Sequence, residues 1–179
     1  MILGLTGEKL AGKDTVAEYL VEKYGAENIR HSYFLDEILK ILDLPVSRRN
    51  EIDLGMSIRR AFGDSILANA LAKKVRESKS SLIVINGIRF QDELINAKNL
   101  GAKIIYITAP EEMRFKRFLN RKEKADDASQ NLTEFRLQEH EPTEVGIPSL
   151  GVQADIKLEN LGSLNELQEK VDKIIQDLK

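Results

Sequence analysis

The chain has 179 residues, 42% hydrophobic and 31% charged, with 27 Lys+Arg against 29 Asp+Glu, which is the composition of one nearly neutral globular domain. That balance excludes a broad basic surface for nucleic acid, and the lack of cysteine excludes a disulfide framework, a thiolate metal site and a cysteine nucleophile. No apolar run reaches the roughly 18–20 residues that span a bilayer, and Met1 leads into strand-like sequence without a basic stretch, so the expectation is a cytoplasmic protein with no membrane span and no cleaved signal.

Ile2-Leu3-Gly4-Leu5-Thr6 is a short apolar run closed by Gly7, and Val16, Ala17, Leu20 and Val21 follow at helical spacing over residues 13–24; the pattern predicts strand, turn, helix. A second short strand is expected at 29–33, then a helix through Leu35, Ile38, Leu39 and Leu42 that Pro45 ends. Residues 57–77 again fit a helix, with Gly63-Asp64 as an open break point. Leu82-Ile83-Val84-Ile85, stopped by Asn86-Gly87, reads as a strand buried on both faces. A helix over 91–100 with Gly101 at its C-terminal cap leads to a third strand at 103–107, and Pro110 opens the next helix. That helix carries Phe115, Phe118 and Leu119 on one side and Arg114, Arg117 and Arg121 on the neighbouring side. Residues 122–131 are too polar to join a core and read as a mobile loop. A short helix at 133–140, a weaker strand at 154–158 and a final helix through Leu164, Leu167, Val171, Ile174, Ile175 and Leu178 complete the chain, the last with Ser163 and Glu166 at capping-box spacing. Such alternation predicts a mostly parallel α/β sheet with helices on both faces.

Gly7-Glu8-Lys9-Leu10-Ala11-Gly12-Lys13-Asp14-Thr15 has the two glycines and the lysine of a Walker A loop. Gly7 and Gly12 allow backbone N–H groups to turn around a phosphate, the helix beginning at Lys13 aims its positive end there, and the Lys13 ammonium reaches the outer phosphate oxygens. Asp14 stands where Ser or Thr usually ligates Mg²⁺, with Thr15 one place later, so Asp14 is the metal-ligand candidate. The plain alternative is a glycine-containing turn. A position between a buried-looking strand and an amphipathic helix favours the nucleotide reading.

Gly12-Lys13-Asp14-Thr15 in that loop, with three later segments, resembles the deoxynucleoside monophosphate kinases of the P-loop nucleotide kinase superfamily. The later segments are Val84–Glu93 with its Arg89-Phe90-Gln91-Asp92-Glu93, His140-Glu141-Pro142-Thr143-Glu144, and Asp155 through Asn160-Leu161-Gly162-Ser163-Leu164. Dephospho-CoA kinases share the plan. Asn86 departs from it, standing where the family usually has Asp at the end of the Walker B strand, a loss that Asp14 could offset.

The resemblance implies a three-layer α/β P-loop kinase fold, a single domain over 1–179 with a five-stranded parallel sheet, helices on both faces and a small lid at about 122–142. It implies ATP as phosphoryl donor, Mg²⁺ as helper, and a nucleoside or deoxynucleoside monophosphate as acceptor, with small-molecule nucleotides as partners and neither nucleic acid nor membrane. Gly7, Lys9, Ala11, Gly12, Lys13, Asp14 and Thr15 would hold the donor phosphates, and Asn160 and Gly162 resemble the loop whose backbone reads adenine. Lys13, Arg89, Arg117 and Arg121 would act in transfer, with Arg114 a lesser candidate. Arg59, its neighbour Arg60, Arg89 and Arg136 could contact the acceptor phosphate, and Asp36 its sugar or base. Each arginine also has a plain reading as a solvated surface charge, and for Arg89 as a salt bridge to Glu93. His31 and His140, far apart and without cysteine, make no zinc site and are expected to form structural hydrogen bonds. The alternatives are another phosphorylated small-metabolite acceptor, or an ATP-binding regulatory module without significant transfer.

Overall fold

The apolar run at the start of the chain is buried from Leu3 onward, and burial on both faces suits it to the middle of a parallel sheet. In a computed structural model, which describes residues 1–120 and 131–178, it forms the central strand β1 (Ile2–Gly7), followed by α1 (Lys13–Tyr24), β2 (Glu27–Arg30), α2 (Tyr33–Ile41), α3 (Arg48–Phe62), α4 (Ile66–Glu77), β3 (Ile83–Asn86), α5 (Gln91–Asn99), β4 (Lys103–Thr108), α6 (Glu111–Asn120), α7 (Leu132–Glu139), α8 (Ile147–Val152), β5 (Ile156–Glu159) and α9 (Leu164–Asp177). The five strands run in the order β2-β3-β1-β4-β5, all paired in parallel, with Leu5 opposite Asn86 on one side and Ile105 on the other.

Each face of the sheet has its own core. Leu3, Leu5, Val84, Ile105 and Ile107 pack with Val16, Ala17 and Leu20 of α1 and Leu167, Val171 and Ile175 of α9. The alternate residues Ile83, Ile85 and Ile104 pack with Leu71 and Val75 of α4, Leu94 and Ala97 of α5 and Leu150 of α8. Strand periodicity of two thus yields the three layers, and full burial of each such side chain contributes about 1.5–3 kcal/mol. On the first face Tyr19, Lys23 and Tyr24 of α1 converge on the Asp172 carboxylate of α9 at 2.7–2.8 Å. The Lys23 ammonium and the two phenols hold that carboxyl down at about 2.

The departures from expectation are local. The helix expected over 57–77 is two helices separated at Gly63, whose φ of 96° suits glycine. The first of them starts nine residues early, at Arg48, because Ser47 accepts from the Asn50 amide at 3.2 Å and caps a turn with few apolar residues. β2 stops at Arg30, since Tyr33 already opens α2. α8 was not expected at all. Within the span expected as a lid, α7 is pinned by Phe135, which is fully buried against Phe115 and Phe118 of α6 at ring distances of 5.6 Å. Arg121 and residues 122–130 of the expected lid lie outside the described residues.

Candidate active site

The C-terminal ends of parallel strands in an open α/β sheet border a crevice, and here β1 delivers the Gly7–Thr15 loop into it. An added Cβ on Gly7 would overlap the Ile107 carbonyl oxygen, so β1 can approach β4 there only through glycine. Gly12 caps α1 with φ 106°. Outside the loop, successive carbonyls are satisfied by side chains: Lys9 O accepts from Arg114 Nη1 at 3.4 Å, Leu10 O from Arg117 Nη1 at 3.0 Å, and Ala11 O from Asn160 Nδ2 at 2.8 Å. Peptide planarity then aims the Leu10 and Gly12 amides inward, towards the side on which the first turn of α1 begins. The result is a concave loop, with Lys13 beside it, of the shape an anion would need.

The braces are themselves braced. Arg117 Nη2 also donates to Asn160 O at 3.1 Å, so one guanidinium ties the loop to the turn before α9, and burial lowers its pKa. Arg114 donates to Ala109 O at 3.0 Å and pairs with Glu139 of α7. Lys9 donates to Gln138 of α7 and stands 5.4 Å over the Phe118 ring. Tyr106 donates to the Glu8 carboxylate; burial and that bond push its phenol up to about 12.

Two cavities open from the loop. One, of about 720 Å³, is bordered by Gly12, Lys13, Asp14 and Thr15 and, towards α9, by Arg117, Asn160 and Gly162. The other, of about 360 Å³, lies between the loop, α2, α3 and the β3–α5 turn. Among the described residues five belong to both walls: Leu10, Lys13, Asp14, Arg30 and Asn86. At this seam the buried Asn86 amide donates from Nδ2 to Asp14 Oδ1 at 3.0 Å, while Asn86 Oδ1 is buried with no hydrogen-bond partner. The two departures from the Walker pattern are thus in contact.

The smaller cavity is lined by six basic side chains, Lys9, Lys13, Arg30, Arg48, Arg59 and Arg89, against the acidic Asp14, Glu51 and Glu93, with an apolar wall that includes Leu35, Ile52, Met56, Leu67 and Phe90. Arg48 and Arg89 share the buried carboxylate of Glu144, and Arg48 also reaches Glu141 at 2.9 Å. Burial, and then the neighbouring Arg48 charge, holds the Arg89 guanidinium down to about 10, which leaves it cationic at neutral pH. Glu93, only 3% exposed, is the hub of the β3–α5 turn: it accepts from the Arg89 amide at 2.8 Å and the Phe90 amide at 3.3 Å, and it pairs with Arg59. Arg59 in turn pairs with Asp92 at 3.2 Å and stacks 4.1 Å from the Phe90 ring centre. His31 lies in the same wall, its Nε2 4.0 Å from Glu93, and burial lowers its pKa against the pull of Glu93.

The expected residues therefore divide. Lys13, Asp14, Thr15, Gly12, Asn160 and Gly162 meet at the larger cavity, and Lys9, Arg59 and Arg89 at the smaller. Gly7 and Ala11 shape the loop from behind. The Arg89 side chain pairs with Glu144, while Glu93 takes its backbone amide. Asp36 borders neither cavity; it is buried behind Arg30, 3.2 Å from its guanidinium. Arg136 also borders neither and pairs with Glu111 at 2.8 Å. Arg60 is exposed, and His140 hydrogen-bonds Arg136 O at 2.7 Å. Arg30 and Arg48 carried no sequence signal: the strand expected at 29–33 put Arg30 inside it, whereas Arg30 ends β2. Among the described residues no three His, Cys, Asp or Glu side chains form a metal cluster, and no helix is long and apolar enough to cross a membrane.

No family model matches the sequence. A UPF0200 protein of Saccharolobus islandicus is 26% identical over 176 residues, covering 97% of this chain and 91% of its own. In three dimensions the chain is similar to shikimate kinase from Bacteroides thetaiotaomicron, with a TM-score of 0.64 and 15% identity over 98% of both chains. It is also similar to shikimate kinase from Acinetobacter baumannii in complex with shikimate, with a TM-score of 0.59 and 19% identity over 99% of this chain and 94% of that one. Likeness at this level establishes the P-loop kinase fold and leaves the acceptor branch open.

Proposed function

We propose that this chain transfers the γ-phosphoryl group of ATP to a nucleoside or deoxynucleoside monophosphate. The observation that carries the reading is the seam: a phosphate cradle and a cationic cavity with an apolar wall share Lys13, Asp14 and Asn86. A donor seated in the larger cavity would present its last phosphate at that seam, and an acceptor in the smaller one would meet it there. Arg48 and Arg89 suit an anionic head group, and Phe90 with Ile52 and Met56 suits a flat, apolar body, which together describe a nucleotide better than a small polar acid.

Magnesium fits the same place. Asn86 Oδ1 is a buried oxygen without a partner, the amide of the same side chain donates to the Asp14 carboxylate, and Thr15 borders the same cavity. Asp14, with Asn86, would hold Mg²⁺ through direct or water-mediated oxygen contacts. When bound, the ion would supply positive charge to the donor phosphates. Phosphoryl transfer asks the protein for positioning and positive charge more than for covalent chemistry. Lys13 and the inward amides would hold the donor, Arg89 the acceptor, and Arg117 would keep the cradle rigid. An acceptor phosphate oxygen would bond to the γ-phosphorus as the bond to the bridging oxygen breaks and its electron pair leaves on ADP.

The test is a panel of nucleoside and deoxynucleoside monophosphates, dephospho-CoA and shikimate with Mg²⁺ and ATP, scored for ADP and phosphorylated product. Turnover on a monophosphate nucleotide is expected, falling about 10²–10³-fold in Lys13→Met. Product from a non-nucleotide acceptor alone would move the assignment to another small-molecule kinase. ATP binding without product on any acceptor would favour an ATP-binding module.

A further inference from the structure

We propose that Arg30, which no motif of the sequence singles out, is a second cation on the phosphoryl group in transit. The proposal rests on the kinase reading above and assigns it a further residue. Arg30 is the last residue of β2 and stands in register with Asn86 of β3, which brings it to the seam. Among the described residues shared by both cavity walls, the cations are Lys13 and Arg30. Lys13 comes from the loop and is committed to the donor side. Arg30 comes from the far edge of the sheet.

The side chain is built to be available. It is more than half exposed, and its contact with Asp36 uses Nη2 at 3.2 Å, one of the five N–H donors of a guanidinium. An ion pair with so exposed a partner contributes only about 0–1 kcal/mol, so a phosphate can share or take over the guanidinium at small cost. Asp36 keeps Oδ1 buried and without a hydrogen-bond partner, which marks it as a support behind Arg30 and not as part of the wall. In a loose transition state negative charge spreads over three equatorial oxygens while both axial bonds are weak. A guanidinium reached from both cavities meets those oxygens whichever side they lean towards. An acceptor phosphate dianion brings no proton, so Arg30 has only charge to manage.

The prediction is read by calorimetry with Mg²⁺ on the full chain, using ADP, the non-hydrolysable ATP analogue AMP-PNP, and ADP with aluminium fluoride. Arg30→Ala is expected to hold ADP within about twofold of wild type, to bind AMP-PNP about tenfold more weakly and the aluminium fluoride complex about 100-fold more weakly, with Arg30→Lys restoring part of each loss. A merely structural arginine would weaken all three ligands alike. Equal losses for the three ligands, or unchanged AMP-PNP and aluminium fluoride binding in Arg30→Ala, would overturn the role of Arg30 while leaving the kinase reading standing. Failure of the wild-type chain to bind any of the three would overturn both.

Discussion

The glycine loop over residues 7–15 and the cationic cavity beside it meet at Lys13, Asp14 and Asn86, yet they are assembled by different means. The loop is backbone: nine consecutive residues, of which Lys9, Leu10 and Ala11 turn their carbonyls outward onto Arg114, Arg117 and Asn160. The cavity is side chain: α3 sends Arg48 and Arg59, the β3–α5 turn sends Arg89, the first turn of α5 sends Glu93, and Glu144 from the segment before α8 pairs with Arg48 and Arg89 from behind. A backbone site fails when one Cβ intrudes. A side-chain site fails when one charge loses its partner. The first kind of failure is steric and confined to the loop, while the second spreads through every group the lost charge had neutralised.

Removing the Glu93 carboxylate should therefore give the largest effect. Glu93→Ala leaves the buried Arg59 with Asp92 as its remaining ion-pair partner and takes the acceptor from the Arg89 and Phe90 amides, and a broken buried pair costs about 3–5 kcal/mol; urea unfolding of Glu93→Ala against wild type measures this. Mg²⁺–ADP affinity of the folded fraction should stay near wild type, and a parallel loss of ADP binding would erase the distinction between the two regions. Gly7→Ala comes next. Its Cβ would press on the Ile107 carbonyl oxygen, overpacking of about 1–3 kcal/mol, and here ADP affinity should fall with stability.

The smallest effect is a pH slope. Burial lowers the His31 pKa below its ordinary 6.5, so near that pH the unfolded chain takes up a proton that the folded chain declines. The stability this confers is complete above pH 6.5 and is lost as pH falls through 6.5 towards the folded value. Wild type should lose stability across that window by no more than one proton's worth, and His31→Asn should flatten the slope in thermal melts. A steeper slope in the variant would place the sensitivity elsewhere than in the cationic cavity.

The same contrast explains what could be read from sequence. β1, the loop and the start of α1 form one contiguous string, and the geometry of Gly7 and Gly12 follows from it directly. Val84 and Ile85 announce a buried strand, and Ser163 with Glu166 forms the capping box their spacing implies. The start of α3 was hidden because Arg48-Arg49-Asn50-Glu51 has no apolar face, although Ser47 caps it. α8 was hidden by Gly146, Pro148 and Gly151, which read as loop. Arg89 stood out by its place at a strand end. Its partner Glu144, 55 residues away, stood in a segment that carries the resemblance, but nothing there announced the pairing, and Arg48 was indistinguishable from a surface charge. Arg136 and Asp36 stood out by resemblance, but tertiary packing gave Arg136 to Glu111 and set Asp36 behind Arg30. Pairings between distant charges are decided by topology, which local spacing does not encode.

The brace from Asn160 to Ala11 spans 149 residues, and Asp172 gathers Tyr19, Lys23 and Tyr24 from just as far along the chain. On a ribosome adding about 5–20 residues per second, the glycine loop emerges roughly 8–30 s before the groups that fasten it. Early in that interval β1 also lacks β3 and β4, which follow about 80–100 residues later, so its apolar edges are then open to other partners. Such long-range closure favours late, cooperative folding. A nucleotide seated in the loop would stabilise only the finished chain, and would act after synthesis as a reward for completion instead of a template for it.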